Sequence, residues 1–370
     1  MNAAAKRIRV LLADDSSFMR KVLQTIVSSD PQMEVVGQAK DGNEAVAMAQ
    51  SLKPDVITMD INMPHLDGLQ ATEQIMSQNP RPIVIVSSET RDGAASTLTA
   101  LELGAIDFIS KPSSGIDLDM NSVGAELNRK LKMAAKVHVV RTAARPKTRG
   151  GGAHREMPGA NTEGIVSPAT NGSRFPVVVI AASTGGPAAV MQLVADIPKD
   201  LPAAVVLVQH MPASFTSQFA VQLAEATEIQ VKEATANEAL APGIFYVCPG
   251  SHHLRVSPKG RVVLDSGARI SGYRPCADAA METAAAWAGP MTTGVVLTGM
   301  GNDGSRGAQA IYSGGGAVFV QDEATSVIFG MPAEAIKTGF VTQVLPLDQI
   351  AAAIEKRVRQ LATAPQAVLR

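Results

Sequence analysis

The chain has 370 residues, 46% of them hydrophobic and 18% charged, with a net charge of −1, enough for two domains with full cores and little extended disorder. Balanced charge and 4% aromatic residues argue against a nucleic-acid surface, and Cys248 and Cys276 are too few for a disulfide framework and lack metal-ligand spacing. There is neither an apolar run of membrane length nor the apolar core of a secretion signal, so the expected setting is the cytoplasm, with proteins or small groups as partners.

Residues 8–140 alternate short apolar runs with helical stretches, the pattern of a parallel sheet with crossover helices. Strands are predicted at 8–13, 34–39, 56–59, 82–87 and 106–110, and helices fall between them, as at 17–28 and 43–52, with a last one over 122–140. Five such units make one doubly wound domain. Polar residues collect at its strand ends: Asp14 and Asp15, Asp60, Ser87 and Lys111. Carboxylates capping helices would be the bland explanation. Three carboxylates converging on one crevice repel one another unless a cation compensates, and hard oxygen ligands suit Mg²⁺. The segments Asp14-Asp15-Ser16, Met59-Asp60-Ile61-Asn62-Met63-Pro64-His65-Leu66-Asp67-Gly68, Ser87 and Lys111-Pro112 resemble the signature set of two-component receiver domains, a flavodoxin-like fold. The resemblance implies that a sensor histidine kinase phosphorylates Asp60, and that Asp14, Asp15 and Asp60 hold Mg²⁺ with the backbone carbonyl of Asn62. It gives Ser87 and Lys111 the switch positions.

Residues 141–174 contain six Gly, three Pro and six Lys or Arg against two Glu, with few large apolar side chains. They read as a flexible basic linker between a domain at 1–140 and a second at 175–370.

The second domain is again α/β, with strands predicted at 177–182, 203–209, 244–247, 294–298, 317–321 and 341–345 and a last amphipathic helix over 347–361. Residues 253–265 read as a hairpin added in antiparallel fashion at the sheet edge. The run from Val177 to Ala182 ends at Ser183, and Gly185-Gly186-Pro187 then opens a helix, so Ser183 stands at a strand-to-helix corner. Taken singly, Ser183 is a capping turn serine, His210 a loop histidine and Asp303 part of an Asn-Asp-Gly turn. Together they stand at the carboxyl ends of three strands, where doubly wound sheets bind ligands, and they are the nucleophile, base and orienting carboxylate of acyl transfer. The surrounding glycines suit an oxyanion hole of backbone N–H groups or, equally, a phosphate cradle; neither a P-loop nor a G-x-S-x-G elbow is present.

Ala182-Ser-Thr-Gly-Gly-Pro187, Gln209-His-Met-Pro212 with Ser214-Phe-Thr216, Tyr273-Arg-Pro-Cys-Ala-Asp278, Leu297-Thr-Gly-Met-Gly-Asn-Asp-Gly304 and Phe329-Gly-Met-Pro332 resemble the chemotaxis protein-glutamate methylesterase domain. Two positions depart from the family pattern: Ala181, where glycine is common, and Cys276, where serine is expected and no catalytic role is assigned. The resemblance implies a receiver-regulated enzyme that hydrolyses glutamate γ-methyl esters on chemoreceptors and also deamidates glutamines. Ser183, His210 and Asp303 are the expected triad, the backbone amides of Thr184 and Met300 the expected oxyanion hole, and no cofactor is expected at the esterase site. The competing reading is a non-catalytic output module whose glycine loops bind a phosphorylated ligand under receiver control.

Overall fold

Strands that are apolar at consecutive positions must be covered on both faces, and in the computed structural model they form two parallel sheets clad by helices. The structure describes residues 6–88, 90–111, 120–137 and 174–363. Pro112 and residues 141–173 of the expected linker lie outside the described residues.

The first domain runs β1 (Ile8–Ala13), α1 (Ser17–Ser28), β2 (Met33–Ala39), α2 (Gly42–Leu52), β3 (Val56–Asp60), α3 (Gly68–Gln78), β4 (Ile83–Ser87), α4 (Arg91–Glu102), β5 (Asp107–Ser110) and α5 (Met120–Ala134). Sheet order is β2-β1-β3-β4-β5, all parallel. The order reverses between β1 and β3, which opens a crevice at their carboxyl ends. Every residue of β3 and β4 is buried, which is why their continuous apolar runs were readable as strands. Helix α5 begins two residues earlier than expected and ends at Ala134 rather than near 140, with turns at Ala135 and Lys136.

The second domain follows as β6 (Val177–Ala182), α6 (Gly186–Ala195), β7 (Ala204–Gln209), α7 (Ala213–Ala226), β8 (Gln230–Glu233), β9 (Ile244–Val247), β10 (His253–Val256), β11 (Val262–Asp265), α8 (Ala277–Ala288), β12 (Thr292–Val296), α9 (Ser305–Ser313), β13 (Ala317–Gln321), α10 (Met331–Lys337), β14 (Gln343–Leu345) and α11 (Leu347–Thr363). Seven strands pair in the order β14-β13-β12-β6-β7-β9-β8, all parallel.

Three local expectations need correction. The hairpin of β10 and β11 is antiparallel but forms its own two-stranded sheet beside α8, where Val256 N–H donates to Thr283 Oγ1 (3.0 Å). The two edges of the large sheet belong to β14 and β8, and the Gln-Val-Lys-Glu sequence of β8 is too polar to signal a strand. Strand β12 starts two residues early, because the buried Thr292 satisfies its hydroxyl on Ala284 O (3.2 Å), and it ends at Val296, beyond which Thr298 N–H turns to Gln321 Oε1 (2.7 Å).

Candidate active site and acidic crevice

Register sets the ends of three strands side by side. Ala182 of β6 pairs with Gln209 of β7, and Ala181 pairs with Val296 of β12. The residues leaving these strands therefore share one edge, and bonding continues past the strands: His210 N–H donates to Ala182 O (3.0 Å), and Ser183 N–H to Thr298 O (3.1 Å). Ser183 turns the corner into α6 through Gly185, whose φ of 74° is the left-handed conformation that a side chain disfavours. The loop after β12 lies directly against the serine, since a Cβ at Gly299 would stand 2.7 Å from Ser183 Cβ.

That loop carries Asp303, which is buried and accepts His210 Nε2–H on Oδ2 at 2.7 Å. Besides its neighbour Gly304 N–H (3.0 Å to Oδ1), its other donors come from the opening of α8: Ala277 N–H to Oδ2 (2.7 Å), Asp278 N–H to Oδ1 (2.9 Å) and the Cys276 thiol to Oδ1 (3.2 Å). A carboxylate at a helix N-terminus meets both unpaired N–H groups and the positive end of the dipole. Burial works against its charge, yet His210 and these amides hold Asp303 below the usual carboxylate range. On the other face of the imidazole, Tyr273 stacks at 4.6 Å between centroids and 16° between planes, and its hydroxyl lies against Gly301. Among the described residues, none hydrogen-bonds to Ser183 Oγ, and no acceptor pairs with the N–H of Thr184 or Met300.

Ser183, Thr184, His210 and Tyr273 open onto a cleft of about 650 Å³ whose opposite wall is Asp107, Phe108, Glu126 and Lys130 of the first domain. The domains touch here. Thr184 Oγ1 donates to Asp107 Oδ2 (2.5 Å), while Lys130 Nζ donates to Asp107 Oδ1 (3.0 Å), and the Phe108 and Phe215 rings stand 4.4 Å apart. Farther out, Gln222 Nε2 donates to Glu102 Oε1 (2.7 Å).

In the first domain, Asp14 and Asp60 are buried at the ends of β1 and β3, Asp15 is exposed beside them, and one oxygen of each falls within 4.8 Å of the others. Lys111 reaches Asp60 Oδ2 at 2.7 Å and Asp14 Oδ2 at 3.1 Å. Neither oxygen accepts a well-directed hydrogen bond, so buried lone pairs remain for a hard cation. Burial raises the Asp60 carboxyl above its ordinary value, with Lys111 opposing and Asp14 adding to the rise. Burial likewise works against the Lys111 charge, but Asp60 and Asp14 hold its ammonium above the ordinary value. Asn62 is exposed, and its backbone amide also opposes the rise at Asp60. Ser87 ends β4 one residue past Val86, the partner of Asp60, and its hydroxyl is turned to Gly93 O (3.2 Å).

The structure thus gathers Ser183, His210 and Asp303 on one edge, and Asp14, Asp15, Asp60 and Lys111 on another. It also adds residues that the sequence reading left without a role: Asp107, Tyr273 and Asp278, and Cys276, whose thiol bonds to Asp303. Three of these four lie in the single segment 273–278, but only the fold shows that this segment returns over His210 and Asp303.

The CheB methylesterase family matches residues 178–354, and the response regulator receiver domain family matches residues 10–121. A protein-glutamate methylesterase/protein-glutamine glutaminase of Pyrococcus abyssi is 42% identical over 374 residues, covering 98% of this chain and 96% of that protein. One of the same description from Pyrococcus horikoshii is 43% identical over 371 residues, covering 97% and 95%. The crystal structure of the Thermotoga maritima CheB methylesterase catalytic domain is 38% identical, covering 50% of this chain and 99% of that one, with a TM-score of 0.48.

Proposed function

The chain belongs to the CheB family of protein-glutamate methylesterases and protein-glutamine glutaminases, regulated by a receiver domain and acting in chemotaxis adaptation, and from that premise we propose how its residues divide the work. The division is a receiver at 1–140, a linker at 141–174 and a catalytic domain at 175–370. The substrate is a glutamate γ-methyl ester, or a glutamine side chain, on a cytoplasmic chemoreceptor segment, and the enzyme itself works in the cytoplasm.

Ser183 Oγ attacks the carbonyl carbon and His210 takes the serine proton. With Nε2 bonded to Asp303, Nδ1 is the imidazole nitrogen left to receive it. Asp303 fixes that tautomer and stabilises the imidazolium. The N–H groups of Thr184 and Met300, free of other acceptors, take the negative charge that develops on the carbonyl oxygen. Collapse breaks the C–O bond of the ester, or the C–N bond of the amide, and His210 returns the proton to the departing oxygen or nitrogen, so that methanol or ammonia leaves. Water then attacks the acyl-serine by the same route and leaves glutamate. The observation that carries this reading is the 2.7 Å bond between His210 and the buried Asp303 on the strand edge that bears Ser183. A serine-directed fluorophosphonate should label Ser183, and labelling that persists in Ser183→Ala would refute the nucleophile.

In the receiver, Asp60 accepts a phosphoryl group from the sensor kinase. Asp14, Asp15 and Asp60, with the Asn62 backbone carbonyl, would hold Mg²⁺, which when bound offsets the charge that the phosphoryl group adds to these carboxylates. Lys111 and Ser87 then report the change at Asp60 to β5 and α4. In the docked arrangement, Asp107 and Phe108 cover one side of the cleft and Asp107 occupies the Thr184 hydroxyl, which supports restraint by obstruction of the unphosphorylated enzyme.

A further inference from the structure

Behind Asp303 lies a second carboxylate that the hydrolysis described above does not use. Asp278, in the first turn of α8, is 4% exposed. Its Oδ1 accepts the backbone N–H of Gly304 (2.9 Å) and of Gly307 (2.8 Å), and its Oδ2 accepts Arg306 Nε–H (3.1 Å). Gly304 precedes α9 and has no side chain to cap it, and Cys276 before α8 makes no cap bond to its own helix. The two helices exchange caps instead. Asp303, just ahead of α9, accepts the first N–H groups of α8, while Asp278 of α8 accepts those at the start of α9. The Gly304 N–H is shared by both carboxylates, at 2.9 Å from Asp278 Oδ1 and 3.0 Å from Asp303 Oδ1.

We propose that Asp278 is a positioning residue for the hydrolysis, holding the end of the 299–304 loop so that Asp303 keeps its oxygen on His210 and Met300 keeps its N–H turned to the reacting carbonyl. The proposal rests on the triad assigned above. The start of the loop is pinned separately, with Gly299 N–H on Ile328 O (3.0 Å) and Gly299 O accepting from Gly330 (3.1 Å) and Met331 (2.8 Å). At its far end the backbone bonds are local, Ser305 N–H to Asn302 O (3.2 Å) and Ala308 N–H to Gly304 O (2.8 Å), and the ties to α8 run through two carboxylates, Asp303 itself and Asp278. The electrostatics agree with this division. Burial, with the neighbouring Asp303 charge adding to it, raises the Asp278 carboxyl, whereas for Asp303 the cost of burial is outweighed by His210 and the α8 amides.

The test uses the full chain with a phosphodonor and methylated receptor, with turnover counted per fluorophosphonate-titrated site. Asp278→Ala should lower kcat 10- to 100-fold with KM nearly unchanged, and should displace the acid limb of the pH–kcat profile. A merely structural residue would reduce the number of titrated sites and leave both turnover per site and the profile as they were, and that result would overturn the proposal. Asp278→Asn keeps an oxygen for Gly304 and Gly307 and should recover most of what the alanine loses. If the alanine variant does not fold, the asparagine variant decides: turnover per site within about threefold of the native chain supports positioning through these hydrogen bonds, and a loss comparable to that of a triad variant overturns it. Asp303→Asn, run in parallel, separates the two readings. Full turnover there would sink the triad itself, whereas collapse there with an unaffected Asp278→Ala would sink only the positioning role.

Discussion

At the residue scale, the candidate phosphoacceptor Asp60 and the candidate triad residue Asp303 shift in opposite directions, and the difference is testable. Asp303 is held below its ordinary value, so it contributes stability above the unfolded value near about 4 and loses it as pH falls through the lower folded value. Asp303→Asn should therefore blunt the acid loss of thermal stability below about pH 4, while lowering kcat by about four orders of magnitude through loss of the correct imidazole tautomer. Near-normal turnover in that variant would remove Asp303 from the triad. Asp60 is raised, so its neutral form is the one the fold favours, and that contribution is lost as pH rises through the folded value. Asp60→Asn should accordingly raise the melting temperature at neutral pH without Mg²⁺, and Mg²⁺ should stabilise the native chain more than the variant. The variant should also take no label from a small phosphodonor; undiminished labelling would move the acceptor elsewhere. Ser183, His210, Asp14 and Asp60 were legible because each follows an apolar run that could only be a buried strand, and Asp303, seven residues past β12, because of the glycine-rich turn that carries it. Tyr273 and Cys276 were not, because they lie in the segment between β11 and α8 that carries no periodic signal, and Asp278 was not, because its partners at the start of α9 are brought to the first turn of α8 only by the fold.

At the scale of elements, the sequence was most informative where burial is two-sided. Strands β6, β9 and β13 begin and end as the apolar runs predicted. Strand β8, with Val231 its one apolar residue, gives no such signal, and the β10–β11 hairpin, expected at a sheet edge, forms a sheet of its own. The element that joins the two functions is β5, which sets Asp107 on Thr184 and Phe108 on Phe215, with Lys130 of α5 holding Asp107 from the other side. Phe108 is 4% exposed, and truncating it removes an aromatic pair that contributes about 0.5 to 1.5 kcal/mol beyond its buried area. Phe108→Ala should raise the esterase activity of the unphosphorylated chain severalfold and reduce its response to phosphodonor. Unchanged or lower basal turnover, with the protein still folded, would mean that this contact is not part of the restraint.

At the scale of the whole molecule, the division into two α/β units was plain from composition, since the glycine-rich basic stretch interrupts the strand-helix alternation once. How the units face each other was not, because nothing in a linear pattern says which sheet edge meets which. The structure sets the receiver's β5 and α5 across the cleft that holds Ser183 and His210. Coupling between such sites typically amounts to about 1 to 3 kcal/mol, or roughly a 5- to 150-fold change in the open-to-docked ratio. The central claim is that an intact hydrolytic site is held back by a docked receiver. It is tested most directly by methanol release from methylated receptor, measured for the full chain with and without a phosphodonor and for residues 171–370 alone. The account predicts that the shortened protein works faster than the unphosphorylated full chain and ignores the phosphodonor. A shortened protein slower than the unphosphorylated full chain would contradict it, and would make the receiver part of the active site instead.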